Sequence, residues 1–200
     1  MQQIFKKLEK YILPRSFYAR QTKKVAQELL GKFLVRKIDE QFLVGKIVET
    51  ECYTKSDPAS HCYIGKTERN SAMFGPVGHA YIYFTYGNHY CINAVSRDKK
   101  TEAGGVLIRA LEPVYGIEQM MKNRHKKNIK DLTNGPGKLT QALKINKKFN
   151  HYDLTKNGEL MIIDLSKEQI EIVKSKRIGI SKAACALLRF FIKDNPFVSR

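Results

Sequence analysis

Two alternating apolar runs, Phe33–Ile38 and Phe42–Glu49, are separated only by Asp39–Gln41, and that spacing constrains this chain more than any other feature. Period-two alternation predicts strands. So short a connection fits a hairpin and excludes a crossover, which needs a dozen residues or more. The sheet therefore begins antiparallel. If the second strand stays straight, Val44, Lys46 and Val48 share one side, and Leu43, Ile47, Glu49 and Glu51 share the other.

Ala80–Tyr86 is an aromatic-rich strand candidate, Tyr86–His89 a turn, and Cys91–Val95 a returning strand, which together predict a hairpin with an aromatic tip. Further strands are predicted at Val106–Leu111, Leu160–Asp164, Glu171–Val173 and Arg189–Ile192. Helices are predicted at Thr22–Leu30, at Gly116–Arg124, after the Gly-Pro-Gly turn within Leu132–Leu143, and at Ser181–Leu187. Thr54–Gly78 has no periodicity, and a loop that long is commonly functional. Strands and helices follow no regular alternation, and neither repeat nor linker divides the chain. The expectation is one α+β domain over residues 1–200.

Charge narrows the partners. The 36 Lys plus Arg against 19 Asp plus Glu give a formal +17, a surplus that attracts polyanions, nucleic acid first. A lysine-rich surface with no specific partner is the plain alternative. Met1–Arg15 has no apolar segment like that of a signal peptide. No run approaches the roughly 20 apolar residues that span a bilayer. The expectation is a soluble, cytoplasmic protein without a membrane partner. Cys52, Cys62, Cys91 and Cys185 form no CxxC pair, so free thiols are expected rather than a metal site.

Several strings carry candidate chemistry. Glu49 and Glu51 stand two apart at the end of the predicted second strand, on one face of it. A carboxylate near a nucleic-acid channel deprotonates water or stabilises positive charge on a sugar. A salt-bridged surface pair is the competing reading. His61 and Arg69–Asn70 lie in the irregular segment, where they either line a pocket or sit on the surface. Tyr81 and Tyr83 share one face of their strand, Phe84 and Tyr86 the other, so one face is core and the other a site where rings stack on bases. Asn134–Lys138 is a tight turn with exposed amides and a positive charge, a weak phosphate-binding signal without P-loop spacing.

Taken together, the chain resembles the alkyladenine, or 3-methyladenine, DNA glycosylases. The matching strings are VAQELLGKFLV at 25–35, VETECY at 48–53, AMFGPVGHAYIYFTYGNHYCIN at 72–93, VLIRALEP at 106–113, NGPGKL at 134–139 and RIGI at 177–180, with RFF and PFVS in the tail. The resemblance implies a compact mixed domain with a curved antiparallel sheet and a protruding β-hairpin. It implies a monofunctional base-excision enzyme that hydrolyses the N-glycosidic bond of an alkylated or deaminated purine, hypoxanthine among them, flipped out of double-stranded DNA. It assigns Glu51 as the catalytic carboxylate. Tyr53, His61, Tyr83 and Asn93 form the base pocket, and Tyr86 intercalates. Arg69 and Arg109 act near the site and DNA, and Lys138 is added as a DNA contact on its charged turn. No metal or cofactor is called for, and a monomer is the simplest assembly. Without the amino extension of the vertebrate enzymes, the expectation is a minimal bacterial form. A noncatalytic nucleic-acid-binding or lesion-sensing protein is the alternative. Three positions depart from the family pattern: Cys52 stands where alanine is common, and Asn88–His89 replace a methionine-led pair, which bears on opposite-strand contacts and lesion range.

Overall fold

In the computed structural model, residues 8–85, 87–165 and 168–199 are described. Tyr86, the expected intercalating residue, lies outside them. The order of elements is α1 (Arg15–Tyr18), α2 (Thr22–Glu28), β1 (Phe33–Ile38), β2 (Gln41–Thr54), β3 (Ala80–Thr85), β4 (His89–Val95), β5 (Gly104–Tyr115), α3 (Ile117–Arg124), α4 (Pro136–Ala142), β6 (Leu160–Ile163), β7 (Ile172–Ser175) and β8 (Arg189–Ile192). The strands form one curved antiparallel sheet in the order β3-β4-β5-β2-β1-β6. β8 pairs with β2 beyond the end of β1, and β7 pairs with β8. The fold is α+β, as the sequence predicts.

The first hairpin closes as Ile38 pairs with Gln41, leaving Asp39 and Glu40 as the turn. Asp39 sits at φ 50, a left-handed conformation that short polar side chains tolerate and that tight hairpins need. β2 runs on to Thr54, well past its predicted end at Glu49. The cause is its neighbours: β5 flanks one edge, while β1 and then β8 flank the other. Glu49 and Glu51 are therefore in the interior of the sheet, both at 0% exposure, and not a surface pair at a strand end.

Alternation along β2 does not stay straight. Against β5, Ile47 pairs with Leu111, Glu49 with Ala110 and Thr50 with Ile108, so Val48 and Arg109 each lack an opposite residue. These are two bulges, and a bulge re-aims the side chains beyond it. Before them, Leu43 and Ile47 lie in the main core. After them, Cys52 lies in that core and the Thr50 hydroxyl donates to Ala26 O of α2 at 2.7 Å. Without the shift, Glu49 and Glu51 would point into hydrocarbon. With it they face the other side of the sheet, where Arg109 joins them.

The main core lies between the sheet and the helices, joining Val25 of α2, Leu29 just after it and Leu139 and Ala142 of α4 to Ile47, Ile92 and Ile108. Each large aliphatic side chain so buried contributes roughly 1.5–3 kcal/mol. A smaller cluster containing Cys62, Met73, Tyr81 and Val95 backs the functional face. β3 and β4 pair from Ala80–Ala94 out to Thr85–His89, whereas β4 meets β5 only at Asn93–Val95. The outer hairpin thus projects beyond the sheet. Helix α4 braces it: Thr140 Oγ1 donates to Tyr90 O at 2.7 Å, and a Cβ on Gly137 would lie 2.7 Å from the His89 ring.

The expected helix at Ser181–Leu187 is absent, and that segment is turns and bends. Most of its residues are exposed and Ala183 sits at φ 47, so no apolar face is buried to repay helix nucleation. No helix among the described residues is long and apolar enough to cross a membrane.

Deleting Val48 should remove the bulge in β2 and, with Ile47 then next to Glu49, leave Ile47 toward the main core and both glutamates on the site side. Urea unfolding of the deletion variant is expected to stay cooperative and to lose less than the ~3–5 kcal/mol of stranded buried charge; a larger loss would mean that the glutamates had turned into the core.

Candidate active site

On the functional face lies a cavity of about 180 Å³. Tyr53 of β2, Tyr81 and Tyr83 of β3, Asn93 of β4 and Arg109 of β5 line it, with His61 from the long loop and Ile178 from the segment before β8. Rings dominate the wall. The His61 and Tyr83 centroids are 4.6 Å apart at 77°, and Tyr81 and Tyr83 are 5.3 Å apart at 31°. His61 Nδ1 and the Tyr81 hydroxyl are hydrogen-bonded at 2.9 Å. Tyr81 and Tyr83 therefore form the site face of β3, and Phe84 on the opposite face is exposed and packs on Tyr90 at 5.0 Å. The Asn93 amide nitrogen donates one hydrogen to Tyr81 O at 3.1 Å, which holds the side chain at the cavity wall. A space this size is below the ~300–1,000 Å³ of drug-sized pockets and suits one flat heteroaromatic.

Glu51 is one layer behind this wall. Its Oε1 accepts from the Ile178 amide at 2.9 Å and lies 3.3 Å from Arg109 Nη1, and its Oε2 accepts from the Tyr53 hydroxyl at 2.7 Å. All three partners line the cavity. Arg109 also donates through Nε to Glu49 at 3.1 Å. Burial works against the Arg109 cation, but Glu51 and then Glu49 outweigh it and hold its pKa above the ordinary value. Burial and the adjacent Glu51 carboxylate raise the Tyr53 pKa and keep its hydroxyl protonated.

Two features escaped the sequence reading. Arg177 forms a bidentate pair with Asp57, donates to Cys52 O at 2.9 Å and stacks on the Tyr53 ring at 4.6 Å. It holds the RIGI segment so that the Ile178 amide reaches Glu51. The second is Ser199, which bonds to Glu49. Both contacts span more than a hundred positions, so no local spacing could reveal them; the RIGI and PFVS strings were the available signals.

The remaining expected residues divide. Arg69 stands 5.9 Å from the Tyr83 ring centroid and donates to Phe84 O at 3.2 Å, at the edge of the ring cluster. Lys138 is in the first turn of α4, where its ammonium donates to Asn134 at 2.7 Å, so its turn folds on itself. Cys91 lines the cavity, yet burial pushes its thiol up, and Cys52 is pushed up to about 12 for the same reason; neither is a ready nucleophile. All four cysteines are free. No lysine is among the described residues that line the cavity. No group of three or more His, Cys, Asp or Glu among the described residues could hold a metal ion.

A family model described as methylpurine-DNA glycosylase matches residues 16–196. A protein of Carboxydothermus hydrogenoformans named putative 3-methyladenine DNA glycosylase is 49% identical over 191 residues, covering 94% of this chain and 99% of its own. Similarly named proteins of Francisella tularensis subsp. tularensis and Clostridium tetani are 50% and 47% identical, covering 88% and 94% of this chain and 92% and 98% of theirs.

Loss of solvent around the ring, and then the Arg69 charge, hold the His61 pKa below its ordinary value. The imidazole is therefore neutral at neutral pH and presents an uncharged ring to the cavity. The unfolded chain takes up this proton first, so the group's effect on stability appears as a loss when pH falls through its unfolded pKa. NMR titration should place the His61 midpoint below ~6.5. Arg69→Gln should move it upward, and an unmoved midpoint would show that Arg69 has no influence on it.

Proposed function

The chain belongs to the methylpurine-DNA glycosylase family, and from that premise we propose that it hydrolyses the N-glycosidic bond of alkylated or deaminated purines flipped out of duplex DNA. The observation that carries this reading is the buried Glu51 carboxylate directly behind a ring-lined slot, with two hydrogen-bond donors, Tyr53 and Ile178, and an ion-pair partner, Arg109, that are also part of the wall. Flipping costs a few kcal/mol in lost stacking and pairing, least at a damaged base. Tyr86, which the family resemblance assigns to intercalation, offsets part of that cost by filling the gap in the stack.

The flipped base enters between Tyr53, His61 and Tyr83. An alkylated purine carrying positive charge gains from the faces of these rings, which attract cations. A neutral His61 adds a ring without adding repulsion. Asn93 presents its amide at the cavity wall and helps reject ordinary purines. A water at the junction of Tyr53, Arg109 and Ile178 gives its proton to Glu51 as its oxygen attacks C1′. The carboxylate also favours the oxocarbenium-like charge that develops on the sugar as the C1′–N bond breaks. The products are free base and an abasic site, and no step calls for a metal or cofactor. A lyase step needs a positioned amine of lowered pKa, and the described residues around the slot offer none.

One observation favours a lesion-binding protein without catalysis. Glu51 has no exposed surface, and the Tyr53 hydroxyl occupies its Oε2. Base excision then requires Tyr53 to yield when a base stacks on it.

Single-turnover base release from duplexes containing hypoxanthine, ethenoadenine, 7-methylguanine or no lesion separates the two readings. Wild type is expected to release at least one damaged base and nothing from the unmodified duplex. Glu51→Gln should keep DNA affinity and lose excision by roughly 10²-fold or more. Tight lesion binding without release from any duplex points to the sensor. Tyr86→Ala should weaken capture of a fluorescent flipped base more than it weakens general DNA binding. Equal losses in both would remove Tyr86 from the flipping step.

A further inference from the structure

The two glutamates of the VETE string have unequal surroundings. Among the described residues Glu51 meets Tyr53, the Ile178 amide and Arg109, and the contact to Arg109 is long at 3.3 Å. Glu49 is bound more tightly and from more sides. Its Oε1 accepts from Arg189 Nε at 2.6 Å, from the Ser199 hydroxyl at 2.8 Å and from Arg109 Nε at 3.1 Å. Its Oε2 accepts from the Ser199 amide at 2.7 Å. Arg189 in turn donates to Ser199 O at 3.1 Å, fixing the residue that fixes Glu49. The Ser199 hydroxyl also lies 3.4 Å from both Nε and Nη2 of Arg109.

Charge-assisted bonds strengthen as they shorten. The short bonds here run from Arg189 and Ser199 to Glu49, and the longer ones from Glu49 and Ser199 to Arg109. The longest ion contact reaches Glu51. Placement therefore passes in one direction: β8 and the segment after it fix Glu49, Glu49 and Ser199 fix the plane of the Arg109 guanidinium, and Arg109 then orients Glu51. The guanidinium thus bridges the two carboxylates, with Nε 3.1 Å from Glu49 and Nη1 3.3 Å from Glu51, so a plane fixed on the Glu49 side sets the nitrogen that faces Glu51.

We propose that Glu49 and Ser199 are positioning residues of the base-excision site, forming with Arg189 a latch that sets Arg109 and, through it, the Glu51 carboxylate. This rests on the reading of Glu51 as the group that activates water. Ser199 does not line the cavity, and neither does Glu49. Their loss should therefore reach the rate of bond cleavage and leave capture of the base alone.

The test compares wild type, Ser199→Ala, Ser199→Thr and Glu49→Gln on a 7-methylguanine duplex, whose base is already cationic. Single-turnover rate constant, duplex Kd and Tm are read for each. Ser199→Ala removes one hydroxyl and strands no charge, so it should fold. It is expected to lower the rate constant roughly ten-fold, the effect of about one lost hydrogen bond to a charged group, with Kd unchanged. Ser199→Thr keeps the hydroxyl and should restore most of the rate. Glu49→Gln should lose at least as much rate with Kd kept. If it fails to fold, the Ser199 pair decides alone. A wild-type rate in Ser199→Ala, no rescue by threonine, or rate and Kd falling together would overturn the latch while leaving the glycosylase reading intact. Wild type that releases no base would overturn both.

Discussion

Arg109 stands between two carboxylates that have no exposure to water, and the rest of the functional face is arranged around that contact. Buried charges are costly unless paired and hydrogen-bonded, and removing one partner strands the others. The fold meets this with paired bulges in β2 and β5 that bring Arg109 to the same side as Glu49 and Glu51. Arg189, Ser199, Tyr53 and the Ile178 amide complete the set. Strands β2, β5 and β8 and the two segments flanking β8 thus share one electrostatic knot. A chain with an excess of 17 positive charges has buried two acidic side chains together behind this cavity.

Much of the sheet was legible because its signals are local. Alternation and a short connection gave the first hairpin, and turn chemistry at 86–89 gave the second. The extent of β2 was not legible, since its last residues are strand only because β5 and β8 lie on both sides. The bulge at Val48 was equally hidden: strict alternation sends Glu49 and Glu51 to the side of Ile47, and only the pairing partner reveals the shift. The tail helix failed for the converse reason. Local propensity was present at Ser181–Leu187, but no surface packs on it.

The candidate site divides along the same line. Tyr53, His61, Tyr83, Asn93 and Arg109 come together around one cavity. Glu51 sits behind the wall rather than in it, held by Tyr53, Arg109 and the Ile178 amide, while Arg177 and Ser199, remote in sequence, contact Tyr53 and Glu49 beside it. His89, a departure from the family pattern, has a packing role: its ring lies against the backbone of Gly137, where a side chain would collide. The hairpin is thereby tied to α4 near the cavity.

The central claim is that water, activated at Glu51, replaces a damaged purine at C1′. Mass analysis of products from a 7-methylguanine duplex incubated with the protein in ¹⁸O-water tests it most directly. The account predicts free 7-methylguanine and an intact strand whose abasic sugar acquires a solvent oxygen at C1′ in the enzymatic step, read before exchange erases the label. A strand broken at the lesion through an amine adduct, or a duplex that is bound and left unchanged, would contradict it.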